Sequence, residues 1–221
     1  MVTIATQPVY GLPKGQSSPD TYAQTVIRSK PIVFWRLGEA AGATVAVDEM
    51  GSYNGTYNGA TLAQAPLHHT QSKSITITST NNMTSPTIGA LSVWSIALWA
   101  KSTTSYTFTF HFTLPASALL IRLGSGDSVI RESEGSGWTS SSTSWAVNEK
   151  IHLAAVYNGS STHVYKNGID VYTASRINRA STSGAWYINS DASGGCALQD
   201  FSGWDRVLTA NEIKALYLTG V

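Results

Sequence analysis

The stretch Tyr106–Leu114, YTFTFHFTL, alternates large apolar residues with polar ones along its whole length. Successive side chains of a β-strand point to opposite faces, so the aromatic and leucine side chains would share one face and the threonine and histidine side chains the other. A strand with one apolar and one polar face is typical of an antiparallel sheet that covers a core on one side. The stretch therefore predicts an all-β, antiparallel fold.

Similar short runs recur from Ile32 onward and are separated by turn residues. Asn158-Gly159 and Asn167-Gly168 lie between or beside such runs, and both residue types readily take the positive φ of tight hairpin turns. Many short strands at turn-like spacing indicate a β-sandwich or a β-barrel. The predicted strands are 32–37, 74–77, 94–101, 106–114, 118–123, 128–133, 151–157, 163–166 and 185–189.

Two short helices accompany the strands. Ser18 followed by Pro19 has the residue types of a helix N-cap and first helical position. Thr209 and Glu212 have the spacing of a capping box, in which each side chain accepts the backbone N–H of the other residue. These signals predict helices near residues 20–29 and 209–217.

Residues 1–19 differ in composition from the rest of the chain. Pro8, Pro13 and Pro19 interrupt the segment, and it has few large apolar side chains to bury. We therefore predict an extended N-terminal arm at residues 1–19, followed by a single β-sandwich domain at residues 20–221. Such an arm is suited to contact a neighbouring subunit, which predicts a homo-oligomer.

Charge and composition exclude several classes of partner. Charged residues make up 12% of the 221 residues, and the net charge is +1. No basic cluster could neutralise a phosphate backbone, so we expect no nucleic-acid partner. No apolar run is long enough for membrane insertion, and the first residues lack the features of a secretory signal. Cys196 is the single cysteine, which excludes an intrachain disulfide.

Five stretches together resemble the laminin G-like domains of the concanavalin A-like lectin/glucanase superfamily, of the kind found in phage virion proteins. They follow that family's order of a tyrosine-containing helix, a Trp-Arg-Leu-Gly-Glu strand, a glycine-asparagine loop, an aromatic strand, an Asn-Gly hairpin and a last strand leading into a helix. The resemblance implies a jelly roll of two curved antiparallel sheets. The five stretches are residues 22–42, 47–59, 94–101, 150–168 and 198–217.

The stretch Phe34–Glu39, FWRLGE, carries groups that suit either a ligand site or a structural strand. The resemblance implies a structural role, because this stretch recurs in family members with unrelated ligands. Alternation places Phe34 and Arg36 on one face of the strand and Trp35 and Leu37 on the other. We expect the aromatic rings in the core and the guanidinium paired with a carboxylate.

The superfamily includes glucanases, whose catalytic strand has the pattern Glu-x-Asp-x-x-Glu, and this chain has no such strand. Glu132 and Glu134 could share one strand face, as the paired acids of a glycosidase would. However, Gly135 and Gly137 favour a hairpin end, and no third acid supports the pair. We therefore predict that the protein is not an enzyme.

Calcium is the metal that the resemblance suggests. Many relatives bind it at the edge of the sandwich, and the resemblance places Asp48 and Asp200 at the corresponding positions, with Asn54 as a further oxygen donor. Calcium prefers six to eight oxygen ligands. Alternatively, the carboxylate of Asp200 accepts backbone N–H groups and ties loops together. The sequence leaves both roles open.

A glycan-binding face needs exposed aromatic rings beside hydrogen-bonding groups. Trp138 and Trp145 flank a run rich in serine and threonine, and Tyr53 and Tyr57 lie in the glycine-asparagine loop. The candidate ligand-binding residues are Trp138, Trp145, Trp186, Tyr187, Tyr53 and Tyr57.

Three functions are compatible with these features. The first is a non-enzymatic structural or adhesion protein on the virion surface, a phage head-decoration or tail-associated protein whose residues 1–19 contact other virion subunits and whose sandwich contacts a cell-surface glycan. The second is an extracellular carbohydrate-binding module of a secreted bacterial protein. The third is a glycan-active enzyme, which the missing acids disfavour.

Overall fold

The computed structural model describes residues 21–69, 73–78, 81–103, 108–114, 117–123, 131–134, 137–140, 146–174, 181–190 and 195–221. The predicted arm at residues 1–19 lies outside the described residues, and so does Trp145. Within the described ranges, no helix is long and apolar enough to cross a membrane.

The described chain is mostly strand, with one helix near each end. The helices are α1 Thr21–Arg28 and α2 Ala210–Gly220. The strands are β1 Val33–Trp35, β2 Val45–Ala46, β3 Gly55–Asn58, β4 Thr61–Gln64, β5 Ser74–Ile77, β6 Asn82–Ile88, β7 Trp94–Ser102, β8 Phe108–Leu114, β9 Ser117–Leu123, β10 Arg131–Glu134, β11 Gly137–Ser140, β12 Lys150–Tyr157, β13 Thr162–Lys166, β14 Ile169–Ala174, β15 Gly184–Ser190 and β16 Cys196–Trp204.

The strands form two antiparallel sheets and one separate hairpin. The larger sheet has the order β14-β13-β12-β7-β16-β5-β4, and β1 also pairs with β16. The smaller sheet has the order β2-β3-β6-β15-β8-β9, and β10 pairs with β11. Asn167 (φ 53°) and Gly168 (φ 77°) form the tight turn between β13 and β14, as their sequence predicts. The predicted all-β antiparallel sandwich is confirmed.

The main core lies between the two sheets and is rich in aromatic rings. Phe112 of β8 contacts Trp94 of β7 and Trp186 of β15, with ring centroids 6.3 and 5.3 Å apart. Trp186 also lies directly over Gly203 of β16, where a Cβ atom would be only 2.5 Å from the indole ring. The absence of a side chain at position 203 therefore allows the two sheets to approach each other.

A second core lies on the outer face of the larger sheet, under the two helices. Tyr22 and Val26 of α1, together with Ile213 and Leu216 of α2, pack onto Trp99 of β7 and its neighbours. The predicted capping box of α2 is present: Thr209 Oγ1 accepts the N–H of Glu212, and the Glu212 carboxylate accepts the N–H of Thr209. The larger sheet is thus covered on both faces.

The FWRLGE stretch divides its side chains between these two cores. Phe34 belongs to the core under the helices, whereas Trp35 and Leu37 belong to the core between the sheets. The Arg36 guanidinium lies over the Phe34 ring and pairs with the carboxylate of Asp200 at 2.5 Å. The predicted structural role of this stretch is confirmed.

A buried polar pair occupies the centre of the second core. The hydroxyl of Tyr22 lies 3.2 Å from Nε2 of His152, and the other ring nitrogen of His152 has no hydrogen-bond partner among the described residues. Burial, assisted by the nearby His68, lowers the pKa of His152 to about 3. The imidazole is therefore neutral in the folded protein at physiological pH.

We predict that Gly203→Ala destabilises the protein by about 1–3 kcal/mol, because the new methyl group must displace the Trp186 ring. Gly89→Ala is the matched control: no heavy atom lies within 4 Å of the added Cβ, so its change should stay within about 0.5 kcal/mol. Urea denaturation of both variants measures the free energies of unfolding. Equal stability of the two variants would contradict the close approach of the sheets.

We predict that His152 makes the protein sensitive to acid. Its pKa is lower in the folded state than in the unfolded chain, so the unfolded chain binds more protons between about pH 6.5 and 3. This residue therefore removes about 1.4 kcal/mol of stability per pH unit as the pH falls through that window. Urea denaturation from pH 7 to 4.5 should show a shallower pH dependence in His152→Gln, whereas His69→Gln, which changes an exposed histidine, should keep the wild-type slope.

Candidate functional site: a cleft at the edge of the sandwich

Four separate segments form a cleft of about 500 Å³ where the two sheets meet. We call it the rim cleft. Its lining comes from the residues before β1, the loop between β2 and β3, the end of β6 with the turn that follows, and the residue after β16. The lining residues are Pro31, Ile32, Met50, Ser52, Tyr53, Ile88, Gly89, Ala90, Leu91 and Asp205.

The loop that carries Ser52 and Tyr53 is held by the carboxylate of Asp48. Asp48 is 3% exposed, and both of its oxygens accept backbone N–H groups. A carboxylate bonded in this way fixes the backbone around it, because each bond is charge-assisted. The four donors are the N–H groups of Phe34 (2.8 Å), Met50 (3.1 Å), Ser52 (3.0 Å) and Tyr53 (2.9 Å).

Two further side chains complete this clamp on the loop. Asn54 Oδ1 accepts the N–H of Asp48 at 2.9 Å, and the indole N–H of Trp35 donates to the carbonyl of Tyr53 at 2.7 Å. Trp35 is itself packed in the main core. The position of Tyr53 in the rim cleft is therefore tied to the core of the sandwich.

The polar side chains of the rim cleft, unlike those of the clamp, do not hydrogen-bond to other described residues. Within the described part of the chain, Ser52, Tyr53 and Asp205 make no side-chain hydrogen bond or ion pair. Ser52 and Asp205 are exposed, and Tyr53 is half-buried with its ring against the main core. An apolar concave surface with a few uncommitted polar groups is the usual form of a small-ligand site.

Asp200 lies in the larger sheet rather than at its rim. It forms a bulge in β16, with φ of 54°, and its carboxylate is fully buried. One oxygen pairs with Arg36 and the other lies 2.5 Å from Nε2 of His68. The neighbouring Gln199 accepts a hydrogen bond from the N–H of Leu67 through Oε1, at 2.6 Å. This cluster therefore joins the loop before β5 to β16.

The predicted calcium donors do not fit a calcium site in this arrangement. The oxygens of Asp48 are used by four N–H groups, Asn54 Oδ1 accepts from Asp48, and Asp200 is paired with Arg36 and His68. Calcium needs six to eight free oxygen ligands. In addition, the described residues contain no group of three or more histidine, cysteine or acidic side chains that could hold a metal ion. These carboxylates instead anchor loops and strands.

The candidate aromatic residues occupy three different environments. Trp186 is 1% exposed and lies in the main core, so its ring cannot reach a surface ligand. Tyr57 is also buried, and its hydroxyl donates to Glu39 at 2.6 Å; burial and this bond raise its pKa above the ordinary value. Tyr187 is 44% exposed on the outer face of the smaller sheet. Among the candidate aromatic side chains that the structure describes, Tyr53 lines the rim cleft.

Trp138 lies on β11, but the placement of its side chain falls outside what the structure describes. The antiparallel pairing of β10 with β11 places Glu134 opposite Gly137, in agreement with the predicted hairpin end; residues 135 and 136 lie outside the described residues. Sequence reasoning did not identify Ser52 and Asp205 as site residues. Asp205 could have been noticed, because it is a charged residue directly after the apolar end of β16.

Solved structures with the same fold include binding domains of toxins. The binding domain of Paraclostridial Mosquitocidal Protein 1 has 14% identity and a TM-score of 0.65, with 86% of this chain and 52% of that chain covered. The ligand-binding domain of botulinum neurotoxin serotype D, solved in complex with N-acetylneuraminic acid, has 12% identity and a TM-score of 0.62, with 90% and 52% covered. The chain thus spans about half the length of these toxin domains.

Part of an enzyme also has this fold: one third of the chain of a mutant of Trypanosoma rangeli sialidase that displays trans-sialidase activity. It has 12% identity and a TM-score of 0.61, with 87% of this chain and 33% of the sialidase chain covered. At these identities the likeness shows the fold alone. No curated protein sequence matches the chain significantly.

The family is identified by the sequence itself. Residues 54–214 match Laminin_G_3, described as concanavalin A-like lectin/glucanases superfamily. The match covers more than half of the chain and includes Asn54, the strands from β3 to β16 and residues 210–214 of α2. The chain therefore belongs to the Laminin_G_3 family of the concanavalin A-like lectin/glucanase superfamily.

Proposed function

We propose that this protein is a non-enzymatic binding module that holds a glycan in the rim cleft. The observation that carries the proposal is the meeting of three uncommitted polar side chains, Ser52, Tyr53 and Asp205, on an apolar cleft. A sugar ring presents an apolar face that can lie on Tyr53 and hydroxyl groups that can bond Ser52 and Asp205. The carbohydrate-binding architecture of the family supports this choice of ligand.

The number of carboxylate side chains in the cleft supports a binding function rather than a catalytic one. Glycosidases use two carboxylates on either side of the scissile bond. Asp205 is the one acidic side chain among the described residues that line the rim cleft. The toxin domains with this fold are also described as binding domains.

The clamp on the loop supports binding as well. A ligand site costs less free energy to fill when its groups are already held in place. Tyr53 is fixed through its N–H to Asp48 and through its carbonyl to Trp35, so little loop ordering remains to be done on binding.

We further propose the virion surface as the location of this module, with residues 1–19 contacting neighbouring subunits and the rim cleft left free for a cell-surface glycan. The proline-interrupted sequence of residues 1–19 supports this placement. An extracellular carbohydrate-binding module is the alternative, and it would use the same cleft.

The first test compares half-buried Tyr53 with exposed Tyr187 on a glycan array. We predict that Tyr53→Ala lowers the affinity for the bound glycan at least about tenfold, because the apolar platform is lost. Tyr187→Ala, which removes an exposed ring from the outer face of the smaller sheet, should leave affinity unchanged. Loss of binding in Tyr187→Ala with retention in Tyr53→Ala would move the site to the sheet face.

The second test addresses the clamp. Asp48→Asn replaces one acceptor oxygen by an NH₂ group that faces backbone donors, so we predict a destabilisation of about 2–4 kcal/mol and weaker glycan binding. Glu49→Gln, at an adjacent exposed acid, should match the wild type in stability and in glycan binding.

Calcium should not raise the melting temperature of the wild-type protein. A rise that Asp48→Asn abolishes would contradict the role of Asp48 as a clamp and support a role as a metal ligand.

The third test addresses assembly. We predict that the full chain is a homo-oligomer and that removal of residues 1–19 yields a monomer, because the arm supplies the contacts between subunits. Light scattering coupled to size-exclusion chromatography measures both masses. A full chain that is monomeric at high concentration would contradict the virion placement without affecting the glycan site.

A further inference from the structure

We infer that the rim cleft selects neutral sugars and rejects acidic ones, with Asp205 as the residue that determines this specificity. The inference rests on the proposed function and names the class of glycan that the same site accepts. It follows from the charge of the cleft, from the partners of the nearby cations and from the chemistry of sugar hydroxyls.

Asp205 sets the charge of the rim cleft. It is the one charged side chain among the described lining residues, and it is exposed without a hydrogen bond or ion pair to the rest of the described chain. Lys30 and Glu49 adjoin the lining residues Pro31 and Met50 in sequence, but neither side chain lines the cleft. The cleft therefore presents a negative potential to a ligand.

The cation nearest to Asp205 in sequence is committed elsewhere. Arg206 pairs with Glu212 of α2 at 2.7 Å and donates to the carbonyl of Ser29 at 3.0 Å. Its hydrogen bond to Glu212, with those from Thr209, lowers the pKa of that carboxyl to about 2, so the pair remains charged at all pH values used for binding. Arg206 is thus held by the helical layer and does not face a ligand carboxylate in the cleft.

A lone carboxylate is well suited to neutral sugars. It can accept hydrogen bonds from two neighbouring hydroxyl groups, and bonds to a charged acceptor are stronger than those between neutral groups. A sugar carboxylate at the same position would face Asp205 with no cation among the described lining residues to separate the two charges, and such a like-charge contact weakens binding. Specificity then comes from repulsion of the wrong ligand as much as from attraction of the right one.

This selectivity differs from that of one protein with the same fold. The botulinum neurotoxin serotype D domain was solved in complex with N-acetylneuraminic acid, which carries a carboxylate. The rim cleft offers no cation among its described lining residues for such a group. The two proteins thus share a fold, but we infer that they bind different classes of sugar.

The experiment uses the full chain and matched pairs of oligosaccharides, each neutral glycan being paired with the same glycan extended by N-acetylneuraminic acid or glucuronic acid. We expect the wild-type protein to bind at least one neutral glycan and its acidic partner at least tenfold more weakly. Asp205→Asn should weaken the binding of neutral glycans about tenfold and reduce the ratio of neutral to acidic affinity. Asp205→Lys should reverse the preference, so that the acidic glycan binds more tightly than its neutral partner. Glu49→Gln is the charge control and should preserve the wild-type ratio.

The outcomes separate the inference from the proposed function. Equal or tighter binding of acidic glycans that still depends on Tyr53 would overturn the inference and leave the glycan site in place. A ratio that Asp205→Asn and Asp205→Lys do not change would also overturn it. If no neutral or acidic glycan bound in a Tyr53-dependent manner, the proposed function itself would fail. Thermal melting of each variant ensures that the comparison is made between folded proteins.

Discussion

The last strand, β16, connects every layer of this protein. It pairs with β7 along one edge, and its other edge is shared by β5 and β1. All of its residues are buried, because the smaller sheet covers one face and the helices cover the other. Two neighbouring strands can share one edge only if the gap between them is filled. That gap lies at Asp200, where the bulge occurs and where Arg36 and His68 converge.

Buried carboxylates do much of the anchoring in this fold. Asp200 ties the start of the sandwich and the loop before β5 to β16, and Asp48 organises the loop beside the rim cleft. Removing one partner from such a site would leave a buried charge or unsatisfied N–H groups, each of which is costly. Both acids were predicted as metal ligands, with a loop anchor as the alternative for Asp200. In the structure, backbone N–H groups bond the carboxylate of Asp48, whereas the side chains of Arg36 and His68 bond that of Asp200.

The parts predicted well from the sequence are those whose signals are local. Short strand-like runs bounded by turn residues identified β5, β7 and β12 within one residue at each end, and capping spacing identified the start of α2. The same reasoning did not identify β16, because polar Gln199, Asp200 and Ser202 and a bulge interrupt its apolar pattern. The rim cleft could not be predicted, since its four segments are far apart in sequence and meet only through the sheet topology. The sequence also could not show which candidate aromatic side chains reach the surface. Trp186 is a core residue, whereas Tyr53 lines the cleft.

The arrangement of the two sheets supports the edge of the sandwich as the place of the proposed ligand site. The helices cover the outer side of the larger sheet around β7, β12 and β16, and the main core fills the inner face of the smaller sheet. Concave surface is then left where the strands end and loops diverge. There the Asp48 clamp holds Ser52 and Tyr53 against the core, while Asp205 follows directly from β16. Because both sides of the cleft are attached to buried strands, a ligand meets a surface that is already formed, and its binding free energy is not spent on ordering the loop.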